Sequence, residues 1–281
     1  MLHVHDKPVT ERRRGADSTR ERRREKIARG VASFHISSSA RLSKMPNVAS
    51  FMNDHWQSFL DDVSWFVQPG ERAVAGPLRH PGTWRLPARL EVVFPRLAAL
   101  LTDANTSNVS VGRRDYVLFS WETDDGITTW LSPRPSPPSH LDLLPTHALL
   151  LETFGGIVER SQEPETTWLL NTDESLTADE ARHDASFIRE AKAAWAEVPG
   201  GLPIDPTAYY SISREANGNT TLCHRRSGEV LLFAQDHSFD DVDVLEGCPP
   251  YTLYRRRGGG TFVEWVETVA DQWMSAISSP P

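Results

Sequence analysis

The chain has 281 residues and a formal net charge of −8, with 39% apolar and 24% charged side chains, a composition that fits a globular protein with a substantial core. No run approaches the ~18–20 continuous apolar residues of a membrane span, and the charged N-terminus lacks the apolar stretch of a signal peptide. Two cysteines, Cys223 and Cys248, are too few for a disulfide framework, so a reducing cytoplasm is the expected compartment.

Residues 1–44 hold twelve Lys/Arg against five Asp/Glu, a net of +7, and the remainder holds 18 of the 30 basic and 33 of the 38 acidic side chains, a net of −15. The first segment carries Arg12-Arg13-Arg14, Arg22-Arg23-Arg24 and a serine run from Ser37 to Ser39, with few large apolar residues. It reads as a disordered basic tail, and Met45-Pro46-Asn47 offers a second plausible start. A body as acidic as the remainder repels phosphates, so nucleic acid is not the expected partner and a basic protein is.

Phe51, Trp56, Phe59, Leu60, Val63 and Phe66 recur at helical spacing and predict a helix that stops before Pro69-Gly70. After a Gly/Pro loop, the apolar positions from Leu90 to Leu101 predict a helix broken and restarted at Pro95. Tyr116 to Trp121 and Ile127 to Leu131 are β-rich, and Asp124-Asp125-Gly126 between them signals a hairpin. Pro133, Pro135, Pro137 and Pro138 form a stiff segment. It is the candidate boundary between an N-terminal helical and hairpin region, 45–132, and a C-terminal domain, 141–276. One continuous domain over 45–276 is the alternative.

Leu144-Pro145-Thr146 then opens a helix through Leu149, Leu150 and Phe154 that Gly155-Gly156 ends. Thr167 to Leu170 reads as a strand, and Thr177-Ala178-Asp179-Glu180 as a capping box opening a helix to about Trp195. Three β-runs follow, Tyr209 to Ser213, Thr220 to His224 and Val230 to Ala234, separated by turn residues. A second capping box, Thr261-Phe262-Val263-Glu264, opens a last helix whose apolar stripe is Phe262, Trp265, Val266, Val269 and Trp273.

The chemistry-bearing residues do not assemble into a catalytic signature. Cys223, His224, His237 and Cys248 have spacings unlike the usual zinc patterns, and neither G-x-S-x-G, H-E-x-x-H nor a phosphate loop occurs. No catalytic residue, cofactor or metal is therefore expected. Gly258-Gly259-Gly260 reads as a flexible approach to the Thr261 cap. The densest acidic segment runs from Asp236 to Asp243 and lacks the glycine and terminal glutamate of a calcium loop. Its crowded like charges contribute little to folding and are relieved by a basic surface, so Asp236, Asp240, Asp241 and Asp243 are the expected partner-binding residues.

Three segments carry a resemblance. Leu144-Pro145 with Leu149-Leu150-Leu151 and Phe154-Gly155-Gly156, then Gly228 to Phe233 with Asp236-His237, then Thr261 to Val266 resemble, in order and separation, the signature segments of the SUKH superfamily. The resemblance covers about Leu141 to Met274; the residues after Pro145 depart from its pattern, and 180–199 is longer and more helical than the family expects. It implies an α+β fold with a mixed, mainly antiparallel sheet flanked by helices. It also implies a non-catalytic binding protein, as in the immunity proteins that neutralise bacterial polymorphic toxins. A regulatory or scaffold module without a toxin partner is the alternative, and an enzyme of unfamiliar type a more distant one.

Overall fold

Asn53 starts the first helix, α1 (Asp54–Asp62), by accepting from the backbone N–H groups of His55 and Trp56, which satisfies donors that have no partner inside the helix. Helical spacing turns Trp56 and Phe59 inward. The predicted helix ends earlier than its periodicity suggests, at Val63, and a 3₁₀ turn over Ser64–Phe66 completes it. In this computed structural model the described residues are 53–138, 140–191, 195, 196, 198, 200–235 and 240–278. The basic segment 1–44 lies outside them, as do Phe51, Asp236, His237 and most of 192–199. Ser50–Pro281 forms one compact unit.

Pro95 acts as expected: α2 (Ala88–Val93) stops at Phe94 and α3 (Pro95–Thr102) starts with proline in its first turn, where a missing N–H costs nothing. The free N–H groups of Arg96 and Leu97 find the carboxylate of Glu267, at 3.0 and 3.1 Å, 170 residues on in the chain. Five strands, β1 (Ala73–Ala75), β2 (Asn105–Val111), β3 (Arg114–Thr123), β4 (Gly126–Pro133) and β5 (Glu159–Ser161), form one sheet in chain order. The hairpin at Asp124-Asp125-Gly126 pairs Thr123 with Gly126. Six more strands make a second sheet: β6 (Thr172–Ser175), β7 (Tyr209–Glu215), β8 (Thr220–His224), β9 (Val230–Phe233), β10 (Val242–Val244) and β11 (Leu253–Arg256), in the order β10-β11-β9-β8-β7-β6.

The fold is α+β, and the single mixed sheet of the sequence reading is two sheets whose described pairings are all antiparallel. Residues 157 and 158 join them. Val158 donates to Leu131 of β4 at 2.9 Å, while Ile157 exchanges bonds of 2.7 and 2.9 Å with Ser175 of β6.

Helix α4 (Pro145–Leu151) and the last helix, α5 (Phe262–Ser278), complete the core. The second capping box closes as predicted: Thr261 N–H donates to Glu264 at 3.0 Å and Glu264 N–H to Thr261 Oγ1 at 3.3 Å. From there Phe262, Trp265, Val266, Val269, Ala270 and Trp273 are buried. They pack in one cluster with Leu90 and Phe94 of the α2–α3 segment, Trp121 and Trp130 of the first sheet and Tyr210 of the second. One core therefore spans both sides of the proline-rich segment.

Two predicted elements differ. Thr167–Leu170 is a set of turns held to α5, with Trp168 N–H donating to Gln272 at 3.0 Å. The strand begins only at Thr172, after Asn171 takes a left-handed conformation (φ 64°). The helix expected from Glu180 onward is two 3₁₀ segments, Glu180–Arg182 and Ala185–Glu190. Thr177 Oγ1 does accept from Glu180 N–H at 3.0 Å. The chain is then drawn onto β7, where His183 C=O accepts from Ser211 N–H at 2.8 Å and Asp184 bridges Tyr210. A continuous helix does not accommodate those backbone bonds.

Candidate functional site

The acidic segment of the sequence reading lands at the edge of the second sheet. Asp240 and Asp241 enter β10, and Asp243 lies within it, paired with Arg255 of β11; Asp236 is outside the described residues. The Arg255-Arg256-Arg257 run thus sits beside the acidic one. Arg257 reaches Asp243 at 2.6 Å and also donates to the Asp240 carbonyl. Arg256, with a side chain only 5% exposed, lies 3.5 Å from Asp241, 4.0 Å from Glu215 and over the ring of Trp168 at 4.9 Å. Arg255 meets Glu229 at 2.6 Å.

Asp241 and Asp243 are therefore neutralised within the chain, and the expectation that this loop's charges repel without helping the fold is corrected. Asp241→Asn should cost ~1–3 kcal/mol, because it strips a charge from a buried arginine. Asp243→Asn, on a carboxylate 66% exposed, should change stability by less than ~1 kcal/mol. Urea midpoints of the two variants check this ordering, and an equal or inverted pair of losses contradicts it.

A second place collects side chains from the predicted capping box and helix and from the predicted strands beside them. A solvent-open cleft of about 550 Å³ lies between the 3₁₀ segments and strands β7 and β8, with Glu180, Asp184 and Phe187 on one side and Ser211, Arg214 and Thr220 on the other. Three backbone features build it. Leu176 is left-handed (φ 58°), a conformation a leucine rarely takes unless its surroundings impose it. Gly156, itself at φ 89°, lies so close that a Cβ there would stand 2.6 Å from Thr177 N, so only glycine fits. In β7 a bulge between Ser211 and Ser213 turns the Ile212 carbonyl toward Leu176 N–H, at 2.6 Å. Bulges of this kind re-aim neighbouring side chains.

At the cleft floor Glu180 is 1% exposed. One oxygen accepts from the Ser211 hydroxyl; the other stands 3.1 Å from the Arg214 guanidinium and accepts no hydrogen bond among the described residues. Glu174 is close by, bonded by Thr177 Oγ1. Burial pushes the Glu174 carboxyl above its usual range, and the negative charges of Glu180 and Asp179 add to the rise, against the pull of the Thr177 bond and Arg214. Arg182 pairs with Asp179 at 2.9 Å. The cleft lining itself carries two carboxylates, Glu180 and Asp184, against Arg182, Arg214 and His183.

Elsewhere, His55 stands 2.8 Å from Ser120 Oγ and 3.5 Å from Glu122, a serine–histidine–carboxylate order. Ser120 is 0% exposed and its hydroxyl also faces the Asn105 carbonyl at 3.4 Å. A nucleophile needs access to its substrate, so these groups tie α1 to the first sheet. Cys223 is buried in the core, which pushes its thiol up to about 12. No group of three or more His, Cys, Asp or Glu among the described residues is placed to hold a metal ion, and no helix among them is long and apolar enough to cross a membrane. No family model, curated protein or solved structure matches the chain.

Proposed function

We propose that this chain is a non-catalytic binding protein of the cytoplasm, an immunity-type inhibitor whose partner is a basic bacterial toxin domain. The observation that carries the reading is the acidic surplus of the body, whose residues after 44 sum to −15. A surplus of one sign steers an oppositely charged partner and speeds its encounter, an effect that salt screens.

The SUKH resemblance supports the same reading. Its three segments are far apart in the chain and meet at Gly228, where an added Cβ would lie 3.0 Å from Leu144 Cδ2 and 3.9 Å from Phe262 Cβ. Phe262 N–H donates to the Gly228 carbonyl at 2.8 Å. Segments that share one packing spot are ones a family signature would be expected to retain together.

The test is capture of the partner from the native host with the full chain as bait, followed by co-expression. A basic toxin domain should associate at a rate that falls about tenfold or more between low and high salt, and co-expression should relieve its growth arrest. A captured partner of neutral or acidic charge, or toxicity that persists with the chain present, overturns the proposal. A basic, non-toxic partner turns the reading into that of a regulatory scaffold.

A further inference from the structure

We infer that the outer edge of β1 is a docking site for a short, extended, acidic segment of a protein partner, which adds to the first sheet as a further strand. The inference goes beyond the basic-partner reading and uses a different surface. β1 ends the first sheet and pairs only with β2 among the described residues. The Arg72 carbonyl accepts from Gly112 N–H at 2.9 Å, and Gly76 N–H donates to the Asn108 carbonyl at 2.8 Å. Backbone groups alternate in direction along a strand, so Arg72, Val74 and Gly76 face β2 while Ala73 and Ala75 face away from it. The N–H and C=O groups of these two alanines have no hydrogen-bond partner among the described residues. They form an unused half-ladder, two donors and two acceptors on an open sheet edge.

The charges beside this edge are opposite in sign to the surplus of the body. From Arg72 to Leu90 the chain holds four arginines and no aspartate or glutamate. Arg72 and Arg113 stand at one end of β1, where Gly112 bonds Arg72, and Arg79 stands at the other, where it bridges Thr106. All three are exposed, and none has an ion-pair or side-chain hydrogen-bond partner among the described residues. The carboxylates nearby are already engaged: Glu71 lies 3.0 Å from Arg114, and Asp115 accepts from Ser110 at 2.6 Å. At ~3.3 Å per extended residue, the Arg72 and Arg79 positions are about 20 Å apart, the span of roughly six residues of an added strand.

Strand addition takes its affinity from main-chain bonds and its specificity from side chains. Ala73 and Ala75 supply the first. Arg72, Arg79 and Arg113 supply the second, since charge-assisted bonds to carboxylates favour an acidic segment and like charge repels a basic one. Val74, 48% exposed at the centre of the edge, offers contact to a β-branched or apolar residue opposite. Pro77, next in the outward-facing series, has no N–H and closes the row, so the edge takes one short segment. Nucleic acid would bring phosphates to the arginines but no row of N–H donors for the Ala73 and Ala75 carbonyls, and the acidic body repels it.

The full-length protein, titrated with the end-blocked heptapeptide Asp-Glu-Val-Thr-Val-Glu-Asp and followed by amide chemical shifts and hydrogen exchange, tests this without the partner. In the free protein Val74 N–H, bonded to β2, should exchange slowly and the Ala73 and Ala75 N–H groups fast. Saturable binding in roughly the millimolar range is expected for so short a probe, and near saturation it should slow Ala73 and Ala75 exchange about tenfold. The same peptide with lysine at its four acidic positions should bind at least about tenfold more weakly. Ala75→Pro removes an outward N–H while leaving the β1–β2 bonds in place, and should abolish binding. Arg72→Glu combined with Arg79→Glu should weaken it about tenfold or more. Should Ala75→Pro fail to fold, this paired variant, which alters only exposed side chains, carries the test.

Equal binding of the acidic and lysine peptides, binding unchanged in either variant, or Ala73 and Ala75 amides already slow in the free protein overturns the site. So does a single-stranded octathymidylate that binds this edge more tightly than the peptide, which would assign the arginines to phosphates. A self-associated form in sedimentation that Ala75→Pro dissociates gives the edge to a second copy and overturns the peptide occupant. Capture of a basic partner, or failure to capture one, bears on the toxin reading alone, because that reading uses the acidic surplus and not this edge.

Discussion

Trp273→Ala should cost ~3–5 kcal/mol, enough to leave a domain of ordinary stability largely unfolded at 37 °C. Trp273 is fully buried on α5, and its ring lies 5.0 Å from Trp130 and 6.1 Å from Trp121, centroid to centroid, on neighbouring strands β4 and β3. Truncation removes the transfer energy of the largest side chain and opens a cavity that two rigid strands cannot close. The indole N–H of Trp273 has no hydrogen-bond partner among the described residues, so its polar atom contributes nothing favourable there. Trp273→Phe keeps most of the ring and removes that unsatisfied donor, and should cost no more than about 1–2 kcal/mol. Urea unfolding of both variants measures the contrast. An alanine variant with an unchanged midpoint would show that α5 is not part of the core.

Acidification should destabilise the protein through His147. This histidine is completely buried on α4, with Nε2 3.1 Å from the Leu176 carbonyl and Nδ1 3.0 Å from the Tyr210 hydroxyl. A carbonyl only accepts, so Nε2 carries the proton and Nδ1 accepts from Tyr210. A second proton on Nδ1 would reverse that bond, forcing the Tyr210 hydroxyl to accept, and place a charge in the core. Burial accordingly depresses the imidazole from 6.5 to about 4, against a smaller opposing effect of the Leu176 carbonyl.

The depressed value sets the sign. Above pH 6.5 neither folded nor unfolded chain binds this proton and there is no penalty. Between 6.5 and about 4 only the unfolded chain takes it up, so stability falls with pH, by roughly 3 kcal/mol in total. Below 4 both forms are protonated and the loss levels off. His55, also lowered chiefly by burial, acts in the same direction. His147→Gln, which can both donate and accept at the two positions, should lose about 3 kcal/mol less than the parent between pH 7 and pH 4. Identical losses in chain and variant would show that the proton enters elsewhere.

The elements legible in the sequence are those whose signal is local. Pro95 divides α2 from α3 because a proline ring clashes within a helix and fits its first turn. The Asp124-Asp125-Gly126 hairpin and the Thr261 capping box read correctly because turn and cap bonds close within a few residues. The stripe from Phe262 to Trp273 marks a buried face by its period alone. Each of these is decided by residues next to one another.

Strand β2, Asn-Thr-Ser-Asn-Val-Ser-Val in sequence, carries no such signal; Asn105, Thr106 and Ser107 are buried by the structure around them, and Ser107 donates to the Gly76 carbonyl at 2.9 Å. The same limit hid the cleft. Thr177 to Glu180 satisfies the local pattern of a helix start, and Thr177 does cap Glu180 N–H. The Glu180 carboxylate goes instead to Ser211 and Arg214, more than thirty residues away, and that choice places a predicted capping residue at the floor of the cleft. Local propensity yielded there to the bonds offered by β7. The acidic run at 240–243 was visible by composition, but its neutralisation by Arg256 and Arg257 depends on β10 and β11 lying side by side. By itself the sequence determined helices, caps, turns and the sign of the charge. Which carboxylates are paired within the fold was decided only by tertiary structure, because an ion pair depends on distance in space and not on separation along the chain.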